Sequence, residues 1–278
     1  MSRRAVPKAH SAAARSAQAY GSFRRAAPKV VLLALTLAIA SHAQTDARRS
    51  GFDFMGAATQ AMQRDDFQNP GMLWVQDGEA LWNRKAGASD KACATCHAAA
   101  QSSMRGVAAR YPALDLASGK PVSLGQRINL CRTLHQQAPA LAFESKELLG
   151  LEAWVAHQSR GLPLVPPADA ALQPFVARGQ QLFVRRLGQL NLSCAQCHDE
   201  RAGLRLGGSP IPQAHATGYP LYRLEWQGLG SLQRRLRNCM AGVRAEPYAF
   251  GAQELVELEL YLAVRARGMR VETPAVRP

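Results

Sequence analysis

Cys93-Ala94-Thr95-Cys96-His97 and Cys194-Ala195-Gln196-Cys197-His198 are two copies of one short motif. The pattern Cys-x-x-Cys-His is typical of sites where haem c is attached covalently. The two thiols bond to the haem, and the histidine becomes an axial ligand of its iron. We therefore expect two covalently bound haem c groups. The predicted attachment residues are Cys93, Cys96, Cys194 and Cys197, and the predicted axial histidines are His97 and His198. Zinc binding by the same thiols is the alternative.

One further cysteine follows each box, Cys131 in the first half of the chain and Cys239 in the second. In electron-carrier cytochromes c the sixth iron ligand is usually a downstream methionine. The first half has no methionine between Met104 and the linker at 162–169. We predict that Cys131 and Cys239 are the second axial ligands and that thiolate ligation keeps both reduction potentials low. A disulfide between these two cysteines, or ligation by His135 in the first half, are the alternatives.

The chain also repeats outside the boxes. Tyr111-Pro112 begins twenty residues before Cys131, and Tyr219-Pro220 begins twenty residues before Cys239. Apolar residues recur at helical spacing, whereas the alternation typical of strands is almost absent. These patterns predict a mainly α protein that consists of two tandem cytochrome c-like domains related by internal duplication.

The predicted first domain spans residues 44–165 and the second spans 166–278, with the proline-rich linker at 162–169 between them. Each half should contain a helix before the haem box, one that carries the distal cysteine and one that closes the domain. The six predicted helices are 72–84, 123–137, 145–157, 174–186, 231–242 and 252–263. The second half contains about seven extra residues around 207–212, to which the sequence assigns no role.

The first 43 residues have the composition of a signal peptide. They contain seven basic residues and no acid, followed by an apolar run at 30–40 and the small-x-small sequence Ser41-His42-Ala43. The apolar run is too short to span a bilayer as a helix. We expect cleavage near residue 43, export to the periplasm and no membrane span in the mature protein. A basic disordered tail beside a buried helix is the alternative.

The net charge of the whole chain is +14, from 34 basic and 20 acidic residues. Without the seven basic residues of the predicted signal peptide, 27 basic residues remain against 20 acidic ones, a net charge of +7. The arginines are scattered and have no aromatic residues between them, so nucleic-acid binding is not expected. A basic face for an acidic protein or a small anion is the better interpretation.

The arginines cluster around Cys239. Arg235 lies one helical turn before this cysteine, where its guanidinium could hold an oxyanion beside the sulfur and favour the thiolate. Arg244 lies on the turn that follows. We interpret Arg234 and Arg237 as residues of a solvated helix face.

The sequence Cys239-Met-x-x-Val-Arg-Ala-Glu-Pro-Tyr248, together with the two boxes, resembles the SoxA family. These are dihaem cytochrome subunits of the bacterial thiosulfate-oxidising Sox system. The resemblance implies an L-cysteine S-thiosulfotransferase that pairs with a small monohaem cytochrome, SoxX. Together the two subunits would join thiosulfate to a cysteine of the carrier SoxYZ and pass electrons to cytochrome c.

Transferred onto this chain, the resemblance implies that Cys239 is the catalytic, haem-ligating cysteine, found as a persulfide in the family. Arg235 would bind substrate, with Arg244 as a possible second substrate-binding residue. His97 with Cys131, and His198 with Cys239, would be the two axial pairs. A dihaem c-type electron-transfer cytochrome without its own substrate is the alternative function, and a dihaem peroxidase is a further one.

Overall fold

One pair of long helices organises each half of the chain. In this computed structural model, which describes residues 46–278, α2 (Met72–Asn83) packs against α6 (Lys146–His157) in the first half. In the second half α7 (Gln173–Val184) packs against α10 (Gln253–Arg265) in the same way. The predicted helices that precede the boxes and close the domains are therefore confirmed, as is the mainly α fold.

A glycine lets each helix pair approach closely. A Cβ atom built on Gly78 of α2 would lie 2.0 Å from the carbonyl oxygen of Gly150 in α6. One built on Gly179 of α7 would lie 2.1 Å from the carbonyl oxygen of Glu257 in α10. Both glycines occupy the same place relative to their haem boxes, so the duplication preserves the crossing point as well as the boxes.

Two equivalent helices carry the distal cysteines. The first, α5 (Leu124–Cys131), begins after Ser123, whose side chain accepts a hydrogen bond from a backbone N–H of the first turn. The second, α9 (Leu232–Gly242), begins after Ser231, which caps it in the same manner. Such capping serines satisfy backbone donors that a helix leaves unpaired at its start. The predicted helix 123–137 is α-helical only as far as Cys131, and a π-helical turn follows over Arg132–Gln136.

The remaining helical elements are short. The α-helices are α1 (Ala57–Arg64), α3 (Cys93–His97), α4 (Ala100–Ser103) and α8 (Cys194–His198). Single 3-10 turns occupy Gly51–Phe54, Ala108–Arg110 and Ala170–Leu172. Both haem boxes therefore form helical turns of their own, α3 and α8.

Short strands that the sequence did not predict precede both cysteine helices. In the first half, β1 (Ala113–Asp115) and β2 (Lys120–Val122) form an antiparallel hairpin. In the second half, β5 (Leu221–Arg223) and β6 (Gly228–Gly230) form the same hairpin, and β7 (Ala275–Arg277) adds to β5 in parallel. The extra residues of the second half include a smaller hairpin of β3 (Arg205–Leu206) and β4 (Ser209–Pro210).

The two halves pack against each other reciprocally. Helix α6 of the first half contacts β6 of the second, and α10 of the second contacts β2 of the first. One buried cluster combines Leu149 and Trp154 of α6 with Tyr222, Leu229 and Val276 of the second half. The contact surface between the halves is thus part of the hydrophobic core, while the domain boundary at 165/166 stays a prediction.

The predicted signal peptide at 1–43 lies outside the described residues. From residue 46 onward, no helix is both long and apolar enough to traverse a lipid bilayer.

Candidate functional site

A cavity of about 320 Å³ in the first half gathers the residues predicted to hold the first haem. Cys93, Cys96, His97 and Cys131 all line it, and so does His135. Much of the remaining wall is apolar and consists of Trp82, Met104, Val107, Ile128, Leu151 and Val155. Two thiols and a histidine on one side of an apolar cavity, with further donors on another element, fit a haem c group. Cys131 and His135 both line the cavity, so both stay candidates for the second ligand of the first haem iron.

The arginine near Cys131 is held by an ion pair. Nη2 of Arg127 lies 3.0 Å from Oδ1 of Asp115, and the Arg127 guanidinium also lies near the Tyr111 hydroxyl. Burial raises the pKa of the Cys131 thiol, and the positive charge of Arg127 offsets only part of this effect. The first half therefore does not favour a free thiolate at Cys131.

In the second half His198 and Cys239 lie close together. Nδ1 of His198 lies 2.7 Å from the carbonyl oxygen of Pro212, to which it donates a hydrogen bond. The imidazole also lies close enough to the Cys239 thiol to lower the pKa of that thiol. The two residues therefore share one site, where both would be available to hold the iron of a haem. Since Nδ1 donates to Pro212, Nε2 is the nitrogen that would coordinate an iron.

The surroundings of Cys239 favour its thiolate. Burial raises the pKa of the thiol, but the nearby His198 imidazole and the positive charges of Arg235 and Arg223 outweigh it. The pKa of Cys239 therefore lies below the ordinary value of a thiol, whereas that of Cys131 lies above it. The two cysteines occupy equivalent positions but differ in their electrostatic environment.

Arg235 lies where the sequence predicted it, one turn before Cys239 on α9. Arg244 is exposed on the turn after α9, with a backbone φ of 58°. The sequence analysis missed Arg223 of β5, which acts on Cys239 from outside the helix. Comparison of the two halves of the sequence contains a signal for it, because an acidic residue, Asp115, occupies the equivalent position in the first half.

The interpretation of Arg234 and Arg237 as a solvated face is wrong. The Arg234 guanidinium lies 4.2 Å from the centre of the Trp226 ring. Arg237 lies 4.4 Å from the ring centre of Phe250 and donates a hydrogen bond to the carbonyl oxygen of Tyr248. Guanidinium groups stack readily on aromatic rings, so both side chains are used for packing.

All six cysteines are free thiols, Cys131 and Cys239 among them. Each of these two cysteines lies with the haem box of its own half. The structure therefore gives no support to the alternative of a disulfide between the halves.

Comparison with known proteins agrees with the duplicated fold. The family model described as the SoxA/TsdA cytochrome c domain matches the chain twice, over residues 77–164 and 178–271. The matched domain is a haem c-binding domain, and its two copies correspond to the two halves described above.

Relatives and a solved structure resemble the chain over most of its length. L-cysteine S-thiosulfotransferase subunit SoxA of Rhodovulum sulfidophilum is 38% identical over 84% of the chain and 81% of that protein. SoxA of Pseudaminobacter salicylatoxidans is 39% identical over 82% of the chain and 80% of that protein.

The crystal structure of SoxXA from P. pantotrophus matches with a TM-score of 0.80 and 32% identity. It covers 83% of this chain and 87% of the matched chain. On these matches and on the twofold cytochrome c fold, the chain belongs to the SoxA family.

Proposed function

We propose that this protein is the cytochrome subunit of a SoxAX-type complex and acts as an L-cysteine S-thiosulfotransferase. It would conjugate thiosulfate oxidatively to a cysteine of a SoxYZ-like carrier protein. The observation that carries the proposal is the placement of His198, Cys239 and Arg235 at one site. A thiolate close to a histidine and to a cation suits both iron ligation and sulfur chemistry.

Two covalently bound haem c groups are part of the proposal. Cys93 and Cys96 would hold the first and Cys194 and Cys197 the second. The axial pairs would be His97 with Cys131 and His198 with Cys239. When bound, haem supplies a one-electron acceptor at each site. The cavity of the first half and the proximity of His198 and Cys239 in the second half support this assignment.

The protein's own residues would bind and orient the substrate. Arg235 would hold the sulfonate of thiosulfate through charge-assisted hydrogen bonds, so that the outer sulfur points toward Cys239. Arg244, exposed on the following turn, is retained as a substrate-binding candidate at the entrance. Cys239 would hold the outer sulfur of thiosulfate beside the carrier thiol, where the new sulfur–sulfur bond forms.

The overall reaction is an oxidation. A sulfur–sulfur bond forms between the outer sulfur of thiosulfate and the carrier cysteine, and the carrier thiol loses its proton. Two electrons leave the sulfur atoms and pass to an electron-accepting cytochrome c, the partner implied by the resemblance. A small monohaem subunit similar to SoxX would complete a heterodimer, a proposal supported by the SoxXA structure that the chain resembles. The periplasm would be the location, in agreement with the N-terminal sequence.

Replacing Cys239 with alanine tests the function. The variant should keep both haems, because covalent attachment uses only the thiols of the boxes. It should lose thiosulfate-dependent reduction of cytochrome c in the presence of the carrier and the monohaem subunit. Mass spectrometry of the purified protein would count the haems and locate the N-terminus of the mature chain. Cys239→Ala with full conjugation activity would refute the proposed function.

The dihaem electron-transfer cytochrome makes the opposite prediction. Such a protein would be reduced and oxidised reversibly, with no turnover that depends on both thiosulfate and the carrier. Wild-type turnover under these conditions, absent when either component is omitted, therefore separates the two functions.

A further inference from the structure

The two halves differ by a reversal of charge beside the distal cysteine. Hairpins β1–β2 and β5–β6 pair in the same register, with Asp115 opposite Lys120 and Arg223 opposite Gly228. Each hairpin follows a Tyr-Pro sequence and leads directly to the cysteine helix of its half. Arg223 of the second half therefore stands where the first half has Asp115.

In the first half the residue at this position, Asp115, neutralises Arg127, the arginine of the cysteine helix. Asp115 and Arg127 form an ion pair of 3.0 Å, in which the side chains are only 12% and 31% exposed. The arginine near Cys131 is thus already paired and cannot attract a second anion with its full charge.

In the second half the equivalent arginine has no such partner. Among residues 46–278, no carboxylate lies within ion-pair distance of Arg235. Instead the Arg223 guanidinium lies near it, and burial together with the positive charge of Arg235 lowers the pKa of Arg223. Two cations near one thiol are unfavourable unless an anion lies between them.

Arg223 is held in place, but part of its hydrogen-bonding capacity is unused. Its side chain is 14% exposed, and its guanidinium lies 5.1 Å from the ring centre of Trp226. Nη2 pairs at 2.9 Å with Glu225, whose side chain is 63% exposed. Nε of Arg223 is buried and has no hydrogen-bond partner. A buried donor without a partner is costly in a protein interior, so its surroundings do not satisfy Arg223 fully, and a ligand would be bound by the outer nitrogens of the guanidinium.

We propose that Arg223 is a second substrate-binding residue, which together with Arg235 clamps the sulfonate oxygens of thiosulfate beside Cys239. This inference rests on the proposed function and adds to it a residue that lies outside the cysteine helix. The sulfonate is tetrahedral and presents three oxygens, so it can accept hydrogen bonds from two guanidinium groups at once. The second half has Arg223 where the first half has Asp115. This difference would turn the neutral arrangement of the first half into an anion site in the second.

Thiosulfate binding to the haem-loaded complex, without the carrier and therefore without turnover, tests the proposal. Calorimetric titration of Arg223→Gln should give a dissociation constant about tenfold higher or more, the loss expected for one charge-assisted contact. Arg223→Asp should bind more weakly still, because it restores the acidic partner of the first half opposite Arg235. With the carrier present, both variants should show a raised KM for thiosulfate.

Arg234→Gln is the matched control, since Arg234 also stacks on Trp226. It should bind thiosulfate within about twofold of wild type, because it loses packing but no proposed substrate contact. Equal dissociation constants for Arg223→Gln, Arg223→Asp and Arg234→Gln would overturn the inference.

If Arg223→Gln does not fold, thiosulfate binding by Arg223→Lys tests the proposal instead. A point charge cannot replace a forked guanidinium, so binding should weaken severalfold, and unchanged binding would contradict the clamp. The Cys239→Ala experiment separates this inference from the proposed function. If Cys239→Ala is inactive and the Arg223 variants bind thiosulfate normally, only the role of Arg223 fails.

Discussion

Nδ1 of His198 donates a hydrogen bond to the carbonyl oxygen of Pro212 across 2.7 Å. Pro212 lies two residues after the hairpin of β3 and β4, which contains part of the extra sequence of the second half. A hydrogen bond to the outer nitrogen of a ligating histidine fixes the ring orientation and raises the basicity of the ligand. The insertion therefore supports the histidine of the half that contains Arg235 and Arg223.

Deleting residues 207–210 should shift the reduction potential of the second haem upward. The deletion would displace Pro212, and a less basic histidine stabilises ferric iron less well. Spectroelectrochemical titration measures this potential, and the first haem in the same molecule is the control. Equal potentials of the second haem before and after the deletion would show that the Pro212 carbonyl does not tune the iron.

The helices could be predicted from the sequence because each depends on local information. Serines such as Ser231 mark helix starts, and apolar residues at helical spacing mark the buried faces. The haem boxes and distal cysteines could be identified in the same way. The hairpins could not, because their strands are three residues long and are stabilised by packing across the two halves. Propensity is a weak guide for such short strands.

Arg223, the residue of the candidate site that the sequence analysis missed, could not be predicted because its approach to Cys239 is not local. Arg235 was found because it shares a helix with Cys239, one turn away. Arg223 precedes Cys239 by sixteen residues and reaches it only because the β5–β6 hairpin folds back toward α9. The parallel addition of β7 to β5 joins still more distant segments. No local pattern predicts contacts of this kind.

Gly179→Ala should destabilise the protein by about 1–3 kcal/mol, the typical cost of overpacking a core. The added methyl group would meet the carbonyl oxygen of Glu257 at 2.1 Å, and backbone cannot move aside as a flexible side chain can. Gly78→Ala should behave similarly in the first half. Urea unfolding of the haem-loaded protein measures the loss of unfolding free energy.

Gly208→Ala is the control for both glycine variants. A Cβ atom at Gly208 would have no heavy atom within 4 Å, so its unfolding midpoint should match that of wild type. The packing argument fails if Gly179→Ala and Gly208→Ala unfold at the same urea concentration.

Cys131→Ala should retain most of the conjugation activity, unlike Cys239→Ala. Cys131 lies beside an arginine that Asp115 already neutralises, so the first half lacks an anion site. We expect a loss of less than about tenfold in kcat/KM for thiosulfate, together with an altered ferric spectrum of the first haem. Reduction of cytochrome c at varied thiosulfate concentrations supplies the comparison. Equal inactivation by the two alanine variants would argue against the division of roles between the halves.

The contact surface between the halves contains two buried carboxyl groups at equivalent places, Glu152 of α6 and Glu259 of α10. Both line a cavity of about 120 Å³. Burial raises the pKa of each to about 8, and the charge of Glu259 adds to the effect on Glu152. The two groups therefore titrate as a coupled pair.

Stability should fall as pH rises from about 4.5, the ordinary pKa of a glutamate, to about 8. In this window the unfolded chain releases protons that the folded protein retains, so rising pH favours unfolding. Below about pH 4.5 the pair is protonated in both states, and its full contribution to stability is present.

Glu259→Gln removes one titrating group and should stabilise the protein at pH 8 by about 1–3 kcal/mol relative to pH 5. Urea midpoints of both proteins at these pH values measure the difference. Glu147→Gln, an exposed residue of α6, is the control, and a parallel pH dependence of wild type and Glu259→Gln would rule out the buried pair as its cause.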